Sequence, residues 1–406
     1  MKKKCFIISS IIAVAIIAFL AIFLPLKLKN NKENYDNKIG CLVRLDGSTL
    51  SWNDLTSEKS ESDSSKNKIM IENGVITYAD SSLAGELTIP DEITAIGKKA
   101  FQYSKLKTIN FSSNITSIGI DAFLESDLES VEFPASLKTI EMSAFYNCSK
   151  LQSIKLNDGL QTIGNTAFYN CPITQLLIPT SVKTIENGAF INCKKITGNV
   201  IIPANISKIN NSTFKGCTGI ESFEIKGVVT TIEYQAFLGC SSLTTISLST
   251  SLISIKEGAF QDCKKLKSIE LPSSLKSIDN HAFDGCRSLL SITLNEGITT
   301  LGVASFSNCI SLESVTLPAS LDTIPNSCFY GDTALKNINI PSSINLIGLD
   351  AFFGCYNVSF DLIESIDYIA STSSDFNEIV EVDNFKNYAL KHYYIKKVEV
   401  GTSENS

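Results

Sequence analysis

Twelve cysteines and two histidines are the residues of this 406-residue chain best suited to chemistry. Closely spaced cysteines bind zinc or close disulfides, and a thiolate beside an imidazole is a nucleophile. The spacing here argues otherwise. No two cysteines stand as CxxC, and Cys148, Cys171, Cys193, Cys217, Cys240, Cys263, Cys286 and Cys309 recur at a nearly constant interval, with Cys355 two periods further on. Stacked strands lie roughly 5 Å apart, so a structural reading files these thiols as a column of small buried hydrophobes, against the alternative of a redox or metal role. Cys328 takes another small-residue position of the same period, and only Cys5 and Cys41 stand outside the array. Cys41 is expected to be a free or intermolecularly paired thiol. His281, two residues before Phe283, reads as a solvated loop residue, and His392, between Lys391 and Tyr393, as a surface one. Metalloprotease, P-loop and nucleophile-elbow motifs are absent, and the acidic residues are scattered. The expectation is a protein with no catalytic, cofactor or metal site, not an enzyme.

The elements that would position these residues follow from phenylalanine. Phe101, Phe123, Phe145, Phe168, Phe190, Phe214, Phe237, Phe260, Phe283, Phe306, Phe329 and Phe352 keep the same near-constant interval as the cysteines. Nine of the twelve follow Ala, and nine precede Cys by three positions. A fixed period of this length is the signature of a solenoid, in which no unit can bury its apolar face alone. Such a chain grows in one dimension, so its length implies one elongated domain rather than several globular ones.

Leu266 to Cys286 shows the unit most clearly. Leu266-x-x-Ile269-x-Leu271 reads as a strand that ends at Pro272, whose missing N–H and rigid ring turn the chain. Leu275-x-x-Ile278 reads as a shorter strand, and a loop carrying Phe283 and Cys286 closes the coil. Pro90, Pro134, Pro179, Pro203, Pro318 and Pro341 recur at the Pro272 position; elsewhere Asn157-Asp158-Gly159 and Asn295-Glu296-Gly297 supply the turn. The pattern L-x-x-I-x-L-P-x-S-L-x-x-I-x-x-x-A-F-x-x-C resembles the BspA-like class of leucine-rich repeats over about residues 82 to 357. That resemblance implies a right-handed, β-rich solenoid of about twelve coils with a parallel β-sheet on its concave face. It also implies a microbial cell-surface protein that adheres to host proteins or other cells. The family pattern contains no shared ligand site, so no binding residue carries over.

Residues 6–24 form an apolar run interrupted only by Ser9 and Ser10, preceded by Lys2, Lys3 and Lys4 and followed by Pro25. As a helix this length spans a bilayer core of about 30 Å. The run is longer than a cleavable signal's apolar region and lacks a small-x-small site, so residues 1–30 are expected to be an uncleaved N-terminal membrane anchor, with cleavage and secretion the lesser alternative. The rest would lie outside the cell. Residues 31–68, rich in Ser, Asn, Lys and Glu, read as a flexible polar stalk in which Cys41-Leu42-Val43 is a short apolar patch. Residues 69–357 are assigned to the solenoid with an N-terminal cap at Ile69 to Leu87, and 358–406 to a C-terminal cap and a disordered tail. The net charge of −7 offers nothing to phosphate backbones, so nucleic acid is not an expected partner. Sequons at Asn114, Asn147, Asn205, Asn210, Asn211 and Asn357 signify only in a eukaryotic host.

Alternation turns outward the residues flanking the central aliphatic of the first strand. Before it stand Thr108, Ser130, Ser153, Gln175, Asn199, Ser222, Thr245, Ser268, Ser291, Ser314 and Asn337, a uniform hydroxyl and amide column that can bond across coils or solubilise the face. After it stand Asn110, Glu132, Lys155, Leu177, Ile201, Glu224, Ser247, Glu270, Thr293, Thr316 and Asn339. This variable column is the candidate ligand face, with Leu177 and Ile201 as its apolar break. Two functions follow as expectations: a tethered module binding a protein or other cell-surface macromolecule, or a structural envelope component self-associating through the solenoid.

Overall fold

Each repeat unit folds as one coil, because its two short aliphatic strands and its Phe turn must pack against the next copy to leave water. The structure is a computed structural model that describes residues 41–44, 47–56, 69–361, 368–381, 386 and 389–397. The proposed anchor, most of the stalk and the tail from Gly401 to Ser406 lie outside the described residues. Among the described residues no helix is long and apolar enough to cross a membrane.

The Phe side chains form a continuous file inside the solenoid. All twelve are fully buried, and successive rings lie 5.1 to 5.8 Å apart, centroid to centroid, with planes within 12° of parallel. Touching rings are only about 3.5–4 Å apart along their normal, so these stacks are offset, the arrangement the ring quadrupole favours. Around them the strand aliphatics complete one unbroken core.

The Phe turn, expected only as a loop, is itself a hydrogen-bonded ladder. In every coil the residues two before and two after Phe have positive φ, as at Gln235 (52°) and Gly239 (73°). Left-handed residues on both sides aim alternate amides at the next coil. Thus Gln235, Phe237 and Gly239 donate to the carbonyls of Glu257, Ala259 and Gln261 at 2.9, 2.8 and 2.8 Å. The intervening amides of Ala236, Leu238 and Cys240 close bonds within the coil.

The first strands stack in parallel with equivalent residues opposed, as in Ser130↔Ser153 and Val131↔Ile154. Their ladder is not continuous. It falls into blocks of four, three and four parallel strands, the first extended to a six-stranded sheet by two antiparallel strands, and the expected strands at Gln175–Leu177 and Ser268–Glu270 do not form. At the first break the coil lengthens, Phe214 following Phe190 at a wider interval than Phe190 follows Phe168, and the next strand shifts register between Gly198 and Asn199. Thr174 bridges that break, accepting from the Thr197 amide at 3.2 Å and donating its own to Gln152 at 3.0 Å. The two-residue second strands, such as Thr139–Ile140 and Thr162–Ile163, form the opposite parallel ladder.

Both ends of the described solenoid are closed by antiparallel strands. At the N-terminal side β1 (Cys41–Val43) pairs with β2 (Thr49–Ser51), followed by α1 (Trp52–Thr56); β3 (Ile69–Glu72) pairs with β4 (Val75–Ala79), and β5 (Ala84–Thr88) joins β1 to the first coil. Residues 41–44 and 47–56 fall within the span expected to be flexible stalk, and the structure differs there. Cys41, Leu42, Trp52 and Leu55 are buried, so a few apolar side chains tie down an otherwise polar segment. Ser51 and Asp54 cap α1 reciprocally: Ser51 Oγ accepts from the Asp54 amide at 3.2 Å, and Asp54 Oδ2 accepts from the Ser51 amide at 3.1 Å. At the other end Tyr394–Lys397 pairs antiparallel with Leu346–Ile347 and with Tyr368–Ser371.

Phe237 stacks on Phe214 and Phe260 and meets Phe223 edge-on at 4.7 Å. Replacing it with Ala is expected to cost about 3–5 kcal/mol, whereas Glu270→Ala, on the exposed face, should be close to neutral. Urea unfolding of both variants checks this; coincident midpoints would show that the Phe file does not hold the core.

Candidate functional site

The three blocks of the first-strand ladder set how the variable column is arranged. Cα pairing aligns Asn110, Glu132 and Lys155 in one run, Ile201, Glu224 and Ser247 in a second, and Thr293, Thr316 and Asn339 in a third. Leu177 and Glu270 stand on the two coils where the ladder is broken. All are exposed except Glu224, which is half-buried.

Electrostatic pairing quiets much of the first run. Lys155 pairs with Glu132, and Asn110 Nδ2 donates to Glu86 Oε1 at 2.7 Å. Beside it, Lys107–Glu129 and Lys150–Asp127 bridge neighbouring coils at 3.2 and 2.9 Å. These pairs are exposed, so each contributes no more than about 1 kcal/mol. The break is different: Leu177 is 69% exposed and Ile201 45%, on adjacent coils of a face that is otherwise polar. Further along, Glu224 pairs with Lys226 and, with Ser222, Ser247, Ser268 and Glu270, lines an open cleft of about 610 Å³. In the uniform column only Ser222 bonds its neighbour among the described residues, donating to Asn199 Oδ1 at 2.8 Å. The column thus solubilises the face more than it cross-links the coils.

The thiols are structural donors. Nine Sγ atoms each lie 2.9 to 3.3 Å from the Phe carbonyl one coil back, Cys240 on Phe214 at 3.2 Å for example. Burial pushes the Cys193 and Cys240 thiols up to about 12, because a thiolate there would lose its hydration. Cys41 is also buried, in β1. Among the described residues no group of three or more His, Cys, Asp or Glu side chains could hold a metal ion.

Both imidazoles sit on carboxylates. His281, in a left-handed turn position, places Nδ1 3.2 Å from Asp284 Oδ2, and Asp284 also accepts from Gln261 and Asn308. His392 places Nδ1 2.6 Å from Asp350 Oδ1 and stacks on Phe353 at 4.5 Å. That pair joins the C-terminal cap to the last coil. Sequence reasoning overlooked one buried ionisable group, Asp332, which occupies the thiol position of the coil after Cys309. The gap in cysteine spacing between Cys309 and Cys355 was its signal.

A family model described as a BspA type leucine-rich repeat region matches residues 74–197, 197–283 and 254–377, well over half of the chain. No curated protein matches the chain. Among solved structures, a leucine-rich repeat protein from Bacteroides ovatus is 26% identical, with a TM-score of 0.52 over 74% of this chain and 98% of its own. A leucine-rich cell surface protein from Faecalibacterium prausnitzii is 24% identical, with a TM-score of 0.47 over 76% of this chain and 89% of its own. A leucine-rich repeat protein from Eubacterium ventriosum is 23% identical, with a TM-score of 0.43 over 74% of this chain and 95% of its own.

Two expected outcomes follow for the thiol column. With native protein an aromatic disulfide reagent should leave Cys148 to Cys355 unmodified and should label them all in denaturant; rapid native labelling would show the column open. The raised thiols also fix a sign. The folded state keeps protons that unfolded thiols release above about pH 8.5, so stability should fall as pH rises beyond that value, and less steeply in Cys240→Val. Thermal melts across that range measure it.

Proposed function

We propose that this chain, which belongs to the BspA type leucine-rich repeat family, is a non-catalytic, membrane-tethered cell-surface protein that binds a protein or other surface macromolecule on its first-strand face. The observation that carries this reading is the exposed apolar pair Leu177 and Ile201, set among polar columns on a stacked scaffold. Large apolar side chains left in water on a rigid face are what a partner can desolvate. Their column changes in charge and size along the solenoid while the one beside it stays polar, which suits a scaffold whose specificity is written in one file of residues. The apolar, lysine-flanked N-terminal run supports the tether, and the family resemblance supports the surface location.

Binding of the purified protein to target-cell surfaces, followed by surface capture, tests the face. Replacing Leu177 and Ile201 together by Ser should weaken binding at least about tenfold, close to 1.4 kcal/mol. Replacing Lys138 and Lys183, exposed beside the second strands, should leave it unchanged; the reverse pattern places the functional surface elsewhere. Sedimentation on the same samples decides against the self-associating alternative if the protein stays monomeric as its concentration rises.

The tether has its own readout. Mass spectrometry of the mature protein from membranes should find the segment from Met1 to Asn30 still attached. A new N-terminus between Ala18 and Tyr35 would show a cleaved, secreted protein instead.

A further inference from the structure

The column three positions after each Phe, which begins with Ser104 and Ser126, has one acidic member. From Cys148 to Cys309 it is an unbroken run of thiols, Cys355 resumes it, and between them stands Asp332, fully buried. Where a thiol occupies the column, Sγ–H donates to the Phe carbonyl one coil back, and that carbonyl also receives an amide from its own coil, as Phe260 does from Cys263 at 3.1 Å and Cys286 Sγ at 3.2 Å. At Asp332 both bonds change. The Cys309 amide leaves its own coil and donates to Asp332 Oδ1 at 2.8 Å. Among the described residues Phe306 is thereby the only carbonyl of the file that receives neither the amide of its own coil nor a thiol. Meanwhile Asp332 Oδ2 is buried with no hydrogen-bond partner.

Two acceptors are thus left without a donor in the register where every neighbouring coil has a donor facing an acceptor. One proton resolves both. We propose that Asp332 is a neutral carboxylic acid whose Oδ2–H donates to the Phe306 carbonyl, and that its deprotonation loosens the C-terminal coils of the solenoid. An ionised carboxylate would keep its charge buried with Oδ2 unpartnered, which costs more than a missing bond.

The titratable groups that face Asp332 favour the same state. Asp284 lies on the preceding side, Cys309 and Cys355 stand above and below in the column, and Cys328 is in the same coil. None is a cation. Burial is the main cause that holds the Asp332 carboxyl well above the usual carboxylate range, opposed by the Cys309 amide and reinforced by Asp284. The unfolded chain ionises Asp332 near pH 4. The folded chain keeps the proton to higher pH, so this contribution to stability is present at acid pH and is lost as pH rises through the folded value. The sign is opposite to that of an ion-paired surface carboxylate. The terminal coils are therefore tightened by acid.

Hydrogen exchange on the full-length protein, read over residues 306–358 between about pH 5 and pH 8, tests the assignment. After correction for intrinsic exchange, the parent should lose protection in these coils as pH rises. Asp332→Asn can accept from the Cys309 amide and donate to Phe306 at any pH, so its protection should be independent of pH and exceed the parent's at least about tenfold near pH 8. Asp332→Cys restores the thiol column and should behave alike if the Asn variant folds poorly. Carbon-13 spectra of Asp-labelled protein should show one carboxyl still in the acid form at neutral pH. Parent and variants with the same pH profile, or a carboxyl spectrum with every Asp ionised at neutral pH, would overturn the proposal.

Discussion

Everything in this protein rests on the closure of one turn. To bury a Phe ring against the next ring, each coil reverses direction through two left-handed residues, and outside glycine each such residue costs about 1–2 kcal/mol. Three amides delivered to the neighbouring coil return about 0.5–1.5 kcal/mol apiece. Burying the ring contributes about another 1.5–3 kcal/mol. The balance favours the turn only when a neighbouring coil is present to accept the bonds and cover the ring. The same turn that defines the unit therefore makes it depend on its neighbours, and antiparallel strands at both ends take over where no further coil follows.

The thiol column is a consequence of that closure. With Phe held inward, its carbonyl points into the core beside the next coil, where a small, weakly polar donor fits better than a hydroxyl that must be fully satisfied or a methyl that cannot donate. Ser126 shows the alternative: its Oγ lies 3.3 Å from Cys148 Sγ at the start of the thiol run. Ser104 shows its cost, since its hydroxyl is buried without a partner. In this column cysteine is a hydrophobe with one hydrogen bond to give, and nine thiols each direct it at a Phe carbonyl.

Much of this was legible in the sequence because it is periodic. The Phe file, the thiol column and the proline turns keep nearly one interval, so twelve Phe, nine Cys and seven Pro report the same constraint and chance is averaged away. What a single position decides was harder to read. Asn147, Asn170, Asn192 and the glycines at Gly216, Gly239 and Gly285 mark the left-handed position after Phe, but Tyr103 and Glu125 occupy it as well, so composition alone hid the turn. The N-terminal strands were masked by the polar residues around Leu42, Trp52 and Leu55. On the candidate face the outward positions were readable from alternation, whereas the interruptions at Gln175–Leu177 and Ser268–Glu270 depend on how coils of unequal length meet and on backbone bonds that no side chain announces.

The physical separation of the two sides of a coil bears on function. Residues that turn inward are held by rings, carbonyls and thiols whose geometry tolerates little change, while residues of the variable column touch mainly water and one another across coils. Substitution there alters stability by no more than a few tenths of a kcal/mol, so its chemistry can differ from coil to coil without endangering the fold. Lys155 and Glu132 can neutralise each other, Leu177 and Ile201 can stay apolar, and Glu224 and Glu270 can line a cleft, all on one scaffold. A fold of this kind places a row of independent choices at nearly fixed spacing, and recognition of a large surface rather than a small molecule is what such a row is suited to.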